Sequence, residues 1–176
     1  MSVKVRVIEE GDWEMIMVIQ EASYFLFEPE SLDVMQDKAA MAGECCWVAE
    51  SEGAVVGYLL CHPWPAFSAP PLGQRLPRPS LQTESSTLEF YMHDLAVHPS
   101  QRGRSVATKL IRTALTWARA QGYLHASLVA VQDAPSFWLK HGFQAASCSK
   151  PLDQYGKDAS YMRLSLSDLS SNRAMK

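Results

Sequence analysis

The 176-residue sequence predicts an α/β (α+β) fold built on one central sheet. Three observations carry this reading. About seven strand-length apolar runs alternate with about four stretches of helical periodicity. The run from Tyr91 to Leu110 reads as a buried strand, a short turn rich in Arg and Gly, and the opening of an amphipathic helix. No internal repeat, low-complexity segment or composition break divides the chain, so residues 1–176 are expected to form a single domain with a substantial core.

Residues 3–8 alternate apolar and charged side chains, as a half-buried strand does. The segment Glu9-Glu10-Gly11-Asp12 breaks it, and Asp12 is the expected N-cap of a helix over 13–24. Met15, Ile16, Val18 and Ile19 mark its apolar side. Glu28-Pro29 ends that region, and a second helix is expected over 30–41. The apolar runs 45–49 and 54–61 flank Ser51-Glu52-Gly53, a hairpin signature.

Residues 63–79 hold six of the ten prolines, which excludes regular helix or interior strand. The stretch 63–87 is expected to be a proline-rich insertion loop, of a length that often serves as a lid or binding loop. The next strand is 88–97. A helix over 105–121 aligns Val106, Leu110, Ala114, Trp117 and Ala118 on one face and stops at Gly122. A buried strand at 124–131, a short helix at 134–140 and a closing strand pair at 143–148 and 159–166 complete the sheet. The tail 167–176 is polar and expected to fray.

Composition narrows the function classes. Apolar residues make up 47% and charged residues 20%, ordinary values for a soluble domain. No apolar run approaches a membrane span, and the first residues lack the apolar core of a signal peptide, so a cytoplasmic location without a membrane partner is expected. The net charge of −3 argues against a nucleic-acid partner. Cys45, Cys46, Cys61 and Cys148 read as reduced core thiols. Neither they nor the five histidines have metal-ligand spacing, so no metal is expected.

The turn after the strand at 88–97 is a ready anion site. Backbone N–H groups at a helix N-terminus point to one spot, and Arg102 and Arg104 add positive charge. The string Arg102-Gly103-Arg104-Ser105-Val106-Ala107 resembles the acetyl-CoA motif of the GNAT acetyltransferase superfamily. That motif runs Gln or Arg, two variable residues, Gly, one variable residue, then Gly or Ala. Arg102 fills its first position and Ala107 its last, while Ser105 stands where Gly is usual. Phe137-Trp138 followed by Gly142-Phe143 resembles the family's second marker. The order of elements fits as well, over residues 3–166.

The resemblance implies a mixed, mostly antiparallel sheet, splayed at its centre, with helices on both faces. It implies acetyl-CoA as co-substrate. The pyrophosphate would lie against Arg102, Gly103, Arg104, Ser105, Val106 and Ala107, with the pantetheine arm along Leu95 and Val97. Because the donors are backbone groups, Ser105 need not abolish binding, although its β-carbon removes conformational freedom. Trp138 replaces a Tyr that in many relatives protonates the leaving thiolate, and reads as a wall of the channel. Tyr91, Tyr155 and Tyr161 remain unranked alternatives for that acid.

Acetyl transfer to an amine needs a base within hydrogen-bond or one-water reach, and a donor to the developing oxyanion, for which a backbone N–H near Val97 is the candidate. His93 and Asp94 are the candidates for the base, His93 acting directly or through water and Asp94 holding it or the substrate cation. Strand alternation predicts that only one of the two faces a given cleft. Tyr24, Phe27, Glu28 and Trp64 are expected to bind a cationic acceptor. The expected reaction is transfer from acetyl-CoA to a primary amine of a small molecule in a ternary complex. Peptide or protein amine acetylation and a non-catalytic acyl-CoA-binding regulatory domain are the alternatives. Members of this family often dimerise, so a homodimer fits the resemblance, though no residue singles one out.

Overall fold

The computed structural model describes residues 2–24, 29–41, 43–75, 88–103, 105–132 and 134–167. The strands are β1 (Val3–Val7), β2 (Cys46–Ser51), β3 (Ala54–Pro65), β4 (Leu88–Val97), β5 (His125–Ala130), β6 (Gln144–Ala145) and β7 (Ser160–Ser165). The helices are α1 (Trp13–Ser23), α2 (Leu32–Met41), α3 (Val106–Ala120) and α4 (Pro135–Lys140). The strands form one seven-stranded sheet in the order β1-β2-β3-β4-β5-β7-β6. Every neighbouring pair is antiparallel except β4 and β5.

Burial sorts the helices onto two faces. Val106, Leu110, Ile111, Ala114, Leu115 and Ala118 of α3 join Trp138 of α4 in a core over Trp47, Leu59, Phe90 and Met92. Trp13, Ile16 and Ile19 of α1 and Met35 of α2 pack on Val48, Tyr58, Leu60 and Ala96 across the sheet. Met15 and Val18, expected on the apolar side of α1, are instead exposed. Gln20 and Ser23 take the inward positions, one turn and two turns on from Ile16, because they serve the site.

Asp12 also differs from expectation. Its carboxylate makes no cap bond to α1. It accepts the Glu9 N–H at 2.7 Å and a bidentate pair of bonds from the Arg6 guanidinium, both 2.8 Å. The Arg6 bonds hold the Asp12 carboxyl below its ordinary value against a smaller opposing effect of burial.

The strand at 54–61 runs on to Pro65, into the segment its prolines had excluded from interior strand. β2 ends its pairing opposite Leu60, so beyond that point only β4 flanks β3. Pro63 and Pro65 are two apart and face the same side, where no partner needs their missing N–H groups. Trp64 lies between them, buried against Tyr91.

Two irregularities at the sheet centre shape the site. β4 pairs with β5 only at Phe90–Ala126 and Tyr91–Ser127, and the two strands then run on to Val97 and Ala130 without pairing to each other. The register of β3 on β4 steps from Leu60–Asp94 to Cys61–Met92, which leaves His93 as the extra residue of a β-bulge. On β3, Gly57 lets β4 and α3 close in. A β-carbon there would sit 3.1 Å from the Ala96 carbonyl and 3.2 Å from Val106 Cγ1.

Candidate active site

The diverging edges of β4 and β5 open into a cavity of about 620 Å³. It runs from the N-terminus of α3 to the end of α1 and is lined on the way by Met92 to Val97 and by Trp138.

At one end the backbone supplies donors. The first helical bond of α3 is Lys109 N–H to Ser105 O, at 3.1 Å. The N–H groups of Val106, Ala107 and Thr108 precede it, have no partner within the helix, and belong to residues that line the cavity. Gly103 (φ 82°) and Ser105 (φ 62°, ψ 18°) are left-handed, which turns the chain sharply into the helix. Ser105 makes no side-chain cap bond. Arg102, Gly103, Ser105, Val106 and Ala107 all line this end; Arg104 lies outside the described residues. A helix N-terminus with free donors and a neighbouring arginine suits an anion such as a pyrophosphate. The β4 edge at Leu95 and Val97 does not pair with β5 and suits an extended chain bearing amides; the Leu95 carbonyl already accepts from the Tyr24 hydroxyl at 2.9 Å. Trp138 is buried edge-on against Phe143 at 5.4 Å and presents a wall to the cavity.

At the other end lies a buried polar cluster. His93 and Asp94 both line the cavity, contrary to strict strand alternation. The bulge is the reason: it turns two successive side chains to one face, while Met92 and Leu95 keep to the other. Asp94 does not hold His93. Its two carboxylate oxygens accept hydrogen bonds from the hydroxyls of Tyr24 (2.5 Å) and Tyr58 (2.7 Å). Burial pushes the Asp94 carboxyl above its usual value, against the pull of His93 and the two tyrosines.

The partner of His93 is Glu30, which no sequence pattern singled out. His93 Nε2 lies 2.5 Å from Glu30 Oε1. Glu30 Oε2 accepts from Lys38 Nζ and, at 2.9 Å, from the Gly73 N–H. Burial alone would push the Glu30 carboxyl up, but His93 and Lys38 outweigh it and hold it well below the usual carboxylate range. The Gln20 amide fixes the Glu30 backbone, donating to its carbonyl at 2.9 Å and accepting its N–H at 3.2 Å. The local cue was the polar Gln20 on a buried helix face. Only the tertiary structure brings residues 20, 30, 38 and 93 together.

Of the expected acceptor-binding residues, Tyr24 lines the cavity. Trp64 does not: its indole is buried beside Tyr91 and donates to Ser68 Oγ at 3.3 Å. Phe27 and Glu28 lie outside the described residues. Residues 66–75 of the proline-rich segment are strapped across this end. Leu72 lines the cavity, Gly73 is tied to Glu30, and the Tyr155 hydroxyl donates to Pro70 O at 2.5 Å. Among the three alternative acids, Tyr155 lines the cavity, whereas Tyr161 accepts the Phe67 N–H and Tyr91 is fully buried.

Cys45, Cys46 and Cys61 are buried thiols; burial pushes Cys46 up to about 12 and raises the other two as well. Among the described residues no group of three or more His, Cys, Asp or Glu side chains is placed to hold a metal, and no helix is long and apolar enough to cross a membrane.

Known proteins resemble this chain in sequence and in fold. Mouse N-acetyltransferase 8F1 is 30% identical over 122 residues, which cover 68% of this chain and 48% of the relative. The chain therefore spans about half the length of the curated relatives it matches. Among solved structures, the NatC complex bound to Gag peptide and CoA superposes with a TM-score of 0.69 at 18% identity, over 94% of this chain and 99% of that one. The GphF GNAT-like decarboxylase in complex with isobutyryl-CoA gives a TM-score of 0.74 at 17% identity, over 93% and 99%. At such identities these two likenesses show the fold alone. The sequence profile of the acetyltransferase (GNAT) family matches residues 13–143, and the chain belongs to that family.

Proposed function

We propose that this chain is an acetyl-CoA-dependent N-acetyltransferase that transfers the acetyl group directly to a primary amine of a small molecule, and that residues 1–176 act as one catalytic domain. The observation that carries the reading is the single cavity that joins free helix N–H donors to the buried His93 cluster across the splayed strands. Acetyl-CoA supplies an activated thioester when bound. Arg102, Gly103, Arg104, Ser105, Val106 and Ala107 are assigned to its pyrophosphate, Leu95 and Val97 to its pantetheine arm, and Trp138 to the wall beside it. His93 is assigned as the base that takes the amine proton, directly or through one water. Asp94, already bound by Tyr24 and Tyr58, fixes the floor of the acceptor end.

The strapping of residues 66–75 over that end favours a compact acceptor over an extended polypeptide. The activities named for the relatives support acetyl transfer and leave the acceptor class open. Thiol release from acetyl-CoA, measured against polyamines, amino acids, aminoglycosides, aryl amines and short peptides, tests the reading. Release that depends on a small amine is expected, with His93→Ala reducing it roughly 10²-fold or more. Release with peptides alone would move the assignment to peptide acetylation. Tight CoA binding without release to any amine would favour a non-catalytic acyl-CoA-binding domain.

A further inference from the structure

We propose that Glu30 is the positioning residue of the reaction: it fixes the ring tautomer of His93 so that Nδ1 is the proton acceptor. This rests on the reading of His93 as the base. The argument begins with donors and acceptors. Glu30 is ionised, so its oxygens only accept. His93 Nε2 at 2.5 Å from Oε1 must therefore carry the ring proton and donate. Lys38 Nζ lies 3.0 Å from the same nitrogen, but both groups are donors, and both aim at Glu30. His93 Nδ1 is buried and has no hydrogen-bond partner. An imidazolium at rest would bury an N–H there without an acceptor, which is costly. In the neutral ring the lone pair therefore falls on Nδ1, in a residue that lines the cavity.

Proton transfer from an ammonium acceptor breaks one N–H bond, leaves the electron pair on the amine nitrogen and places the proton on Nδ1. The positive charge that appears on the ring is met through Nε2–H by Glu30, already in place. Lys38 tempers this effect by neutralising part of the Glu30 charge. The other groups facing the ring are His62 of β3, with ring centroids 5.7 Å apart, Tyr91 of β4 at 6.2 Å, and Asp94. His62 donates its Nδ1–H to the Pro63 carbonyl, and burial holds its own imidazole down at about 3, so it stays neutral beside His93.

The test is nitrogen NMR of the full chain with labelled histidine, His93 being assigned by the loss of its signals in His93→Gln. The expected result is a ring protonated at Nε2 in the unaltered protein. In Glu30→Gln the His93 titration midpoint should fall by roughly one unit or more, because an adjacent negative charge is removed. Glu30→Asp, which keeps the charge, should move it less. A ring protonated at Nδ1, or a midpoint unmoved in Glu30→Gln, overturns the proposal. Turnover separates this inference from the reading beneath it. With an acceptor from the panel, Glu30→Gln should lower kcat about tenfold or more and move the acidic limb of its pH profile to lower pH. In a His93→Ala background it should change kcat less than about twofold. If His93→Ala alone leaves kcat intact, the base assignment fails, whatever the tautomer.

Discussion

Ser105→Gly should stabilise this protein, and the size of the effect follows from one backbone angle. Ser105 sits at φ 62°, ψ 18°, in the left-handed region, immediately before α3. An L-residue with a β-carbon is about 1–2 kcal/mol less stable there than in its right-handed conformation. Glycine escapes that cost but loses about 0.5–1 kcal/mol of extra chain entropy on folding. The Ser105 side chain makes no cap bond, so little else is lost. The net gain is about 0.5–1 kcal/mol, which for a chain of this size raises Tm by roughly 1–4 °C. Thermal unfolding of the unliganded protein, followed by circular dichroism, is the assay. Ser105→Ala serves as the control, because it removes the hydroxyl and keeps the backbone strain; its Tm should not rise. A Tm for Ser105→Gly equal to or below that of the parent would refute the reasoning and show that the serine hydroxyl holds the turn. If only Gly raises Tm, the strain at the turn before α3 is established independently of any ligand.

Two further predictions concern the frame around the site. Glu89 is 3% exposed and accepts from Arg163 Nε at 2.6 Å, while the guanidinium lies 4.3 Å over the Phe67 ring. Arg163→Ala leaves that carboxylate buried with only the Tyr161 hydroxyl, at 3.5 Å, to meet its charge, so a loss of about 3 kcal/mol is expected in urea unfolding, and Glu89→Gln added to it should recover part of the loss. Asp12 is held low chiefly by Arg6, so its contribution to stability is present above the unfolded carboxylate range and is lost as pH falls through its folded value. The parent should therefore lose stability on acidification below about pH 4 more steeply than Asp12→Asn, and coincident acid-unfolding curves would exclude the pairing.

Local patterns accounted for the elements because each is written in short-range periodicity and punctuation. The strand 88–97 matches β4 in full, and the amphipathic pattern of 105–121 lies within a residue of α3 at either end. The errors fall where a longer-range partner decides. Pro63 and Pro65 are legitimate strand residues only because β2 stops short of them. Met15 and Val18 read as inward until Gln20 and Ser23 claim that face to support the cavity. Asp12 has the chemistry of a cap, but Arg6, six residues away across the strand end, offers its carboxylate a stronger charged partner.

The sequence alone carried the strand-turn-helix at residues 91–110 and the family of the chain, because a few consecutive residues dictate where the backbone N–H groups of such a turn point. The chemistry around His93 and Asp94 was decided by tertiary structure. A one-residue bulge, invisible in any periodicity, turns His93 and Asp94 to one face. Asp94 then falls to two tyrosines, one just past the end of α1 and one on β3, and His93 to a glutamate 63 residues earlier. A side chain's chemistry is set by what it hydrogen-bonds once water is excluded, and that partner comes from wherever the fold brings the chain back.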